Sequence, residues 1–168
     1  MTKDIQIYDK HVAFWGSPFS NFYECKFVEG DNVWSSSEQC FMAKKAVFFG
    51  DRETFLEIIQ ATTPIEAKKM GRKVKNFDEK AWSEVSFNMM YEAVYAKFSQ
   101  NEDLKTLLLS EEYENKSFVE GSPYDSIWGV KMYWDNPKID DENNWKGENR
   151  LGKVLDKVRE ELKKPSYE

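Results

Sequence analysis

The spacing of apolar residues changes character at Trp34, and that change constrains the fold more than any other feature of the chain. Before it, short β-prone runs stand between turns: Ile5-Gln6-Ile7-Tyr8, Val12-Ala13-Phe14-Trp15, then Cys25-Lys26-Phe27-Val28 and Asn32-Val33-Trp34 around Gly30-Asp31. Two short runs flanking a Gly-Asp turn predict a hairpin. Beyond Trp34 a helical period takes over. The expectation is an α+β fold, predominantly helical, with a small N-terminal antiparallel β element.

The helix starts are well marked. Ser35 with Glu38 three residues later reads as a capping box opening a helix through about Phe49. Thr63-Pro64-Ile65-Glu66 is a second, with Pro at the first helical position and Gly71 as a stop. Between them, Asp51 to Gln60 carries Phe55, Leu56, Ile58 and Ile59, and Asp78 to about Ser99 carries a stripe through Trp82, Val85, Met89 and Ala93. Asn101 is expected to cap a short Leu-rich helix ending near Ser110, and Ser117-Phe118-Val119-Glu120 to form a brief strand. The last helix begins near Asn149 and repeats Leu151, Val154, Leu155, Val158 and Leu162. The connection from Gly121 to about Lys146 is rich in Asn, Asp and Pro. It is expected to lie largely outside the core and to be a place for function.

A chain of 168 residues suits one compact domain, with a core from about residue 5 to 162 and a frayed tail from Lys163 to Glu168. Its 24 basic and 30 acidic residues leave a net charge of -6, so any nucleic-acid contact must be a local site. Two cysteines, Cys25 and Cys40, are too few for a disulfide framework or a four-ligand zinc site. With His11 the only histidine, no metal site is expected, and acid-base chemistry moves onto carboxylates, lysines or tyrosines. Met1-Thr2-Lys3-Asp4 lacks the pattern of a signal peptide and no apolar run reaches the ~18 residues of a membrane span. A cytoplasmic protein without membrane contact is expected. Gly-x-Gly-x-x-Gly and Gly-Lys-Ser/Thr are both missing, which excludes the usual phosphate loops, and no cofactor is implied.

Several segments carry side chains suited to chemistry, each with a plain structural alternative. Ser17-Pro18-Phe19-Ser20-Asn21-Phe22-Tyr23 alternates aromatics with small polar groups, which suits stacking on a flat ring while Asn21 reads its edge, or simply a turn pinned by Phe. Glu38 sits in a first helical turn, where capping and the macrodipole alone favour an acid. Lys45, seven positions on, shares its face with Phe41 between them and Phe48 beyond; it lines a pocket or snorkels at a core edge, while Lys44 points elsewhere. Arg72, after Gly71, suits a phosphate or a solvated basic helix end. In Ser122-Pro123-Tyr124-Asp125-Ser126-Ile127-Trp128-Gly129, Asp125 stands beside an aromatic plate or organises the turn. Trp145-Lys146-Gly147-Glu148-Asn149 precedes a helix N-terminus, a natural anion site that Glu148 partly opposes.

In this order the segments resemble the NADAR (YbiA-like) family. The resemblance rests on Ser17-Pro18-Phe19-Ser20-Asn21-Phe22, Trp34 with Ser36-Ser37-Glu38-Gln39, Met42-Ala43 with Lys45-Ala46, Pro64 with Ala67-Lys68, Met70-Gly71-Arg72, Trp82, Ala96-Lys97-Phe98, Asp125 with Trp128-Gly129, and Trp145 with Gly147, Asn149, Leu151 and Gly152. It implies a single domain that hydrolyses N-glycosidic bonds, with no cofactor. The activities implied are removal of ADP-ribose from modified guanine in DNA, or cleavage of ribosylaminopyrimidine intermediates of riboflavin synthesis; a non-catalytic ADP-ribose reader is a third possibility.

The resemblance casts Glu38, Lys45 and Asp125 as catalytic. Glu38 would be the carboxylate, Asp125 its partner or a sugar anchor, and Lys45 an amine that traps C1 as a Schiff base. Trp82 and Trp128 would be stacking surfaces, and Arg72 and the Asn149 helix start would hold phosphate. Ser20, Asn21, Phe22, Gly129, Trp145 and Gly147 complete the expected substrate site. The partners implied are ADP-ribose or a ribose phosphate, and ADP-ribosylated DNA through a local site. Some members carry an acid after the Trp-Gly pair where this chain has Val130 and Lys131, and a Glu-His-aromatic version of Glu38-Gln39-Cys40. The Val130 variant and the aromatic N-terminal loop look closer to the ADP-ribosyl-directed branch.

Overall fold

The computed structural model describes residues 4–165; the expectations for Met1-Thr2-Lys3 and for the last three residues lie outside them. In chain order the elements are β1 (Ile5–Ile7), β2 (His11–Phe14), β3 (Phe27–Glu29), β4 (Asn32–Trp34), α1 (Ser37–Phe48), α2 (Arg52–Ile59), α3 (Pro64–Gly71), α4 (Glu79–Gln100), α5 (Glu102–Leu108), β5 (Ser117–Glu120) and α6 (Arg150–Lys163). They fall into two compact units: a continuous one, Asn21–Asn101, and a discontinuous one formed by the chain before Asn21 and after Asn101. No helix among the described residues is long and apolar enough to cross a membrane.

In the discontinuous unit β2 is the middle strand, antiparallel to β1 and parallel to β5. All four of its residues are buried, as a central strand covered on both faces requires. A parallel neighbour needs a long crossover, which everything between Phe14 and Ser117 supplies. Phe19, fully buried, packs with Phe14, Tyr113 and Phe118 at centroid distances of 4.9 to 5.8 Å, so half of the aromatic loop is core.

The connection after β5 also departs from expectation, because Val130 and Ile139 are fully buried with Ala13 and Val119. A short 3-10 turn at Pro137–Asp140 points Ile139 inward, and a second follows at Glu142–Asn144. Val130 is held in irregular chain, its N donating to Glu120 O and its O accepting from Lys146 N, so no period betrays either residue. α6 is stitched to β5 by Asn149, which has a left-handed backbone. Its Oδ1 accepts from Glu120 N and its Nδ2 donates to Phe118 O, each at 3.0 Å. Gly152 lets the helix lie close, since a Cβ there would overlap the Phe118 carbonyl.

In the continuous unit β3 and β4 form the expected hairpin, with Val28 opposite Val33 and Gly30 at φ 63° in the turn. α1 packs against α2, α3 and α4. The buried line of α4 runs through Trp82, Ser86, Met90, Ala93, Val94 and Lys97, while Val85 and Met89 sit half-buried at its edge. The expected stripe is therefore rotated by about one residue. Asn101 donates from Nδ2 to Lys97 O at 2.8 Å and Lys26 O at 3.1 Å, closing the end of α4.

Lys97 is fully buried, its Nζ 5.0 Å from the Phe98 ring centroid and 5.7 Å from that of Tyr23. Burial pushes its amine down to about 8 from an ordinary 10.5. Between those values the unfolded chain holds the extra proton, so stability rises with pH across that window and the buried charge costs most below it. Denaturant titrations from pH 7 to 10.5 should show a rise on the order of a few kcal/mol in the wild type. Lys97→Met should flatten it. In the other unit, Asn149→Ala should cost about 2 to 4 kcal/mol in urea unfolding, because it strands two β5 backbone groups and leaves Ala in a left-handed conformation.

Candidate functional site

The acid and the amine singled out in the sequence both lie on α1, and its first turn is held from several sides. The helix begins one residue later than the Ser35-Glu38 box predicts: Ser36 is the N-cap and its Oγ accepts from Gln39 N at 3.1 Å. It is Gln39 that reaches back, its Oε1 accepting from Ser35 N at 2.9 Å and Ser35 Oγ at 3.0 Å. The other end of the amide donates to Ile58 O at 3.0 Å and Ala61 O at 3.3 Å, tying α1 to the end of α2. Three serines in a row offer the cap in two registers, and the bonding of Gln39 selects one. Glu38 is released from the capping box.

Asn21 fastens the same turn. Its backbone O accepts from Glu38 N at 3.0 Å and its Oδ1 from Ser37 Oγ at 2.9 Å. With its oxygens turned to the helix, Asn21 has its amide N–H2 to offer a ligand. Glu38 is buried at the head of α1, 7% exposed, where the helix dipole favours its anion.

Lys45 lies seven residues on, about two turns and ~10 Å along the axis on the same side. Its half-buried Nζ donates to Gly71 O at 2.9 Å and stands 4.5 Å from the centroid of Phe77. Its amine is held below the ordinary lysine range: burial is the main cause, Glu38 opposes it by favouring the charged form, and the Arg72 guanidinium adds to it. Lys44 points elsewhere, as expected, bonding Glu29 at 2.6 Å and Glu92 at 3.1 Å. Burial alone would lower its amine too, but the two carboxylates more than offset that. Adjacent lysines thus carry opposite protonation biases.

Phe77 and Arg72 bear on Lys45 directly, and further rings and cations belong to the same unit. Phe41 and Trp82 are buried, 5.2 Å apart, and Phe48 and Phe49 lie 6.0 and 6.1 Å from Trp82. Trp82 is therefore an inner wall of an aromatic cluster, whereas Phe77 is 46% exposed at its outer edge and 5.4 Å from Phe49. Phe22 is 37% exposed, with Lys68 Nζ 5.5 Å from its centroid. Lys68 and Arg72 are both exposed and four residues apart at the end of α3. Sequence reasoning missed Phe77 and Lys68. Phe77 was detectable as an aromatic out of helical register, between Asn76, at φ 64°, and the N-cap Asp78.

The remaining predicted residues belong to the discontinuous unit. Asp125 Oδ1 accepts from Ile127 N at 2.9 Å and Trp128 N at 2.8 Å, an arrangement that organises the turn. The Arg150 guanidinium stands 4.9 Å from the centroid of the half-buried Trp128. Ser20 is buried and donates from its backbone N to Ser17 O. Gly129 is hemmed in by Glu120 O, Asp125 O and the Ser122 side chain, and a Cβ on Gly147 would collide with Gly129 O and the Ser126 backbone. The Trp145 indole donates to Ile139 O at 2.7 Å and its ring packs on the core. Trp145, Gly147 and Asn149 each have a packing or hydrogen-bonding role in the fold. Among the described residues no three His, Cys, Asp or Glu side chains gather as a metal site would require.

The model of the NADAR domain family matches residues 11–163, spanning both units. N-glycosidase R617 of Acanthamoeba polyphaga mimivirus is 39% identical, over 91% of this chain and 96% of its own. Protein irg-1 of Caenorhabditis elegans is 41% identical, over 86% of this chain and 74% of its own. The NMR structure of Escherichia coli YbiA superposes with a TM-score of 0.74 at 30% identity, covering 96% of this chain and 89% of that one. A likeness this extensive carries the fold class: an α+β domain of the YbiA kind.

The bonding of Gln39 generates a stability test. Gln39→Ala should cost about 2 to 4 kcal/mol in urea unfolding, since it strands buried carbonyls at the end of α2. Gln39→Glu places a carboxylate against those carbonyls. It should be less stable than Gln39→Ala at pH 7 and recover as acid protonates it.

Proposed function

This chain belongs to the NADAR domain family, and, with its relative R617 named an N-glycosidase, we propose that it hydrolyses the bond between an ADP-ribose or ribose phosphate and an exocyclic amine of a guanine-like base. The substrate proposed is ADP-ribosylated guanine in DNA. The observation that carries the reading is the half-buried Lys45 amine, held below its ordinary range on the same side of α1 as the Glu38 carboxylate. A lysine serves as a nucleophile only when neutral, and burial supplies that bias.

The bond to be broken is a glycosylamine, which opens to an imine at C1 once the ring oxygen gains a proton; Glu38, ionised at rest and protonated as the Lys45 ammonium gives up its proton, is assigned to deliver it. The neutral Lys45 amine adds to C1. The base amine then departs with a proton relayed by Glu38, leaving a Schiff base between Lys45 and the sugar. Water adds to that Schiff base, expels the lysine amine and frees the sugar aldehyde. Atoms balance as one substrate and one water giving sugar and base. The carboxylate also counters the positive charge that builds at C1.

Phe22, with Asn21 beside it, is assigned to the base, and Arg72 with Lys68 to the phosphates, which a planar guanidinium and an ammonium bind by charge-assisted hydrogen bonds. Ser20, Asp125, Trp128 and Gly129 are assigned to substrate binding on the family resemblance. A net charge of -6 suits recognition of a modified nucleotide better than tight binding of plain duplex.

The test is incubation with an ADP-ribosylated guanine oligonucleotide and, separately, with the ribosylaminopyrimidine phosphate, followed by mass analysis of the released sugar. Release from the oligonucleotide is expected. Release from the pyrimidine alone would move the substrate, and release from neither would leave a reader. Glu38→Gln and Lys45→Ala should each lower turnover by at least about 100-fold without loss of folding. Borohydride added during turnover should leave a reduced sugar adduct on the Lys45 peptide, and an unmodified Lys45 in an active enzyme would refute the covalent step.

A further inference from the structure

Phe77 is costly where it stands. A phenyl ring 46% exposed in the turn between α3 and α4 gains only part of the burial that usually justifies one, and its edge-on contact with Phe49 at 5.4 Å does not need the outer part of the ring. What its face does meet is the Lys45 Nζ, 4.5 Å from the ring centroid. The same nitrogen donates to Gly71 O at 2.9 Å. An aromatic face and a carbonyl oxygen share one electrostatic preference: both favour the ammonium over the neutral amine.

We infer that Phe77 is a positioning residue for Lys45: its ring and the Gly71 carbonyl hold the ammonium in a resting place, and on leaving it the group passes its proton to the Glu38 carboxylate and turns nucleophile. The inference rests on the Schiff-base role proposed for Lys45 and adds how the free enzyme keeps that amine in reserve. The charged groups that bear on the nitrogen are Glu38 from its own helix, which favours the proton, and Arg72 after α3, which opposes it. Burial also opposes it. The amine is thus balanced between groups that hold the proton and groups that expel it, so losing one holder shifts the balance measurably.

The experiment titrates the amine itself, without turnover. The free protein is labelled with a trinitrophenylating reagent across a pH series, and the Lys45 peptide is quantified by mass spectrometry. Phe77→Leu, which keeps an apolar side chain but removes the ring face, should move the labelling midpoint down by roughly half a pH unit to one unit. Phe77→Tyr keeps the face and should leave the midpoint where the wild type has it. If the Leu variant fails to fold, Phe77→Met carries the same comparison. An unmoved or raised midpoint in the ring-less variant, or a Tyr variant that behaves like Leu, overturns the inference. In the active enzyme the acid limb of kcat/KM should move down with the same variant. A moved labelling midpoint in a protein with no glycosidase activity would sink the proposed function and leave the resting place standing, and an active enzyme with a fixed midpoint would do the reverse.

Discussion

The side-chain amide of Gln39 spans a gap that, among the described residues, no backbone hydrogen bond closes. One end takes the Ser35 N–H and hydroxyl, and the other gives its hydrogens to the carbonyls where α2 ends, so a buried residue joins two chain segments at the first turn of α1. Buried donors and acceptors must be satisfied, and here one residue satisfies several. The consequence is positional. Asn21 completes the clamp through Glu38 N and Ser37 Oγ, so the acid is carried on a turn with little freedom to rotate. A helix is stiff over two turns, and fixing its head fixes where Lys45 emerges.

Lys44 and Lys45 show how little of a lysine's chemistry resides in the lysine. They are neighbours on one helix, both substantially removed from water, about 100° apart around the axis. Lys44 meets Glu29 and Glu92 and is a paired cation clamping the hairpin to α1 and α4; Cys40, whose thiol burial pushes up, adds a weak contact to Glu29 at 3.7 Å. Lys45 meets a carbonyl, a ring and a guanidinium, with a carboxylate farther down the helix. The first environment strengthens the lysine's hold on its proton and the second loosens it.

What could be read in the sequence follows from which interactions are local. Thr63 and Pro64 start a helix where expected, because a cap is decided within four residues, and the Gly30 turn closes its hairpin for the same reason. The α1 cap lies one position beyond the expected Ser35, since Ser35, Ser36 and Ser37 are locally equivalent and a partner at Ile58 and Ala61 decides among them. Lys97 in the buried line of α4 defeats any hydropathy pattern. Val130 and Ile139 carry no periodic signal as core: a 3-10 turn brings Ile139 inward, and backbone hydrogen bonds to Glu120 and Lys146 hold Val130 in irregular chain. Glu38 and Lys45 could be singled out because two helical turns separate them, yet Gly71, Arg72 and Phe77, which bear on the Lys45 amine, come from outside α1.

Gly71 joins packing to chemistry. Read as a helix stop, it has no left-handed backbone and does not need one; its lack of a side chain matters because a Cβ would overlap Met42 of α1. Without that atom α3 closes onto α1, and its last carbonyl comes within 2.9 Å of the Lys45 nitrogen. Arg72, the next residue, is carried into range of the same amine. The space left by the absent side chain is filled by Met42, beside the carbonyl that holds the lysine's proton and one residue before the charge that opposes it. A larger residue would first displace the Met42 side chain, and whatever shift of α3 remained would weaken the carbonyl contact before the charge, because a hydrogen bond fades within a few tenths of an ångström while a charge acts over a longer range.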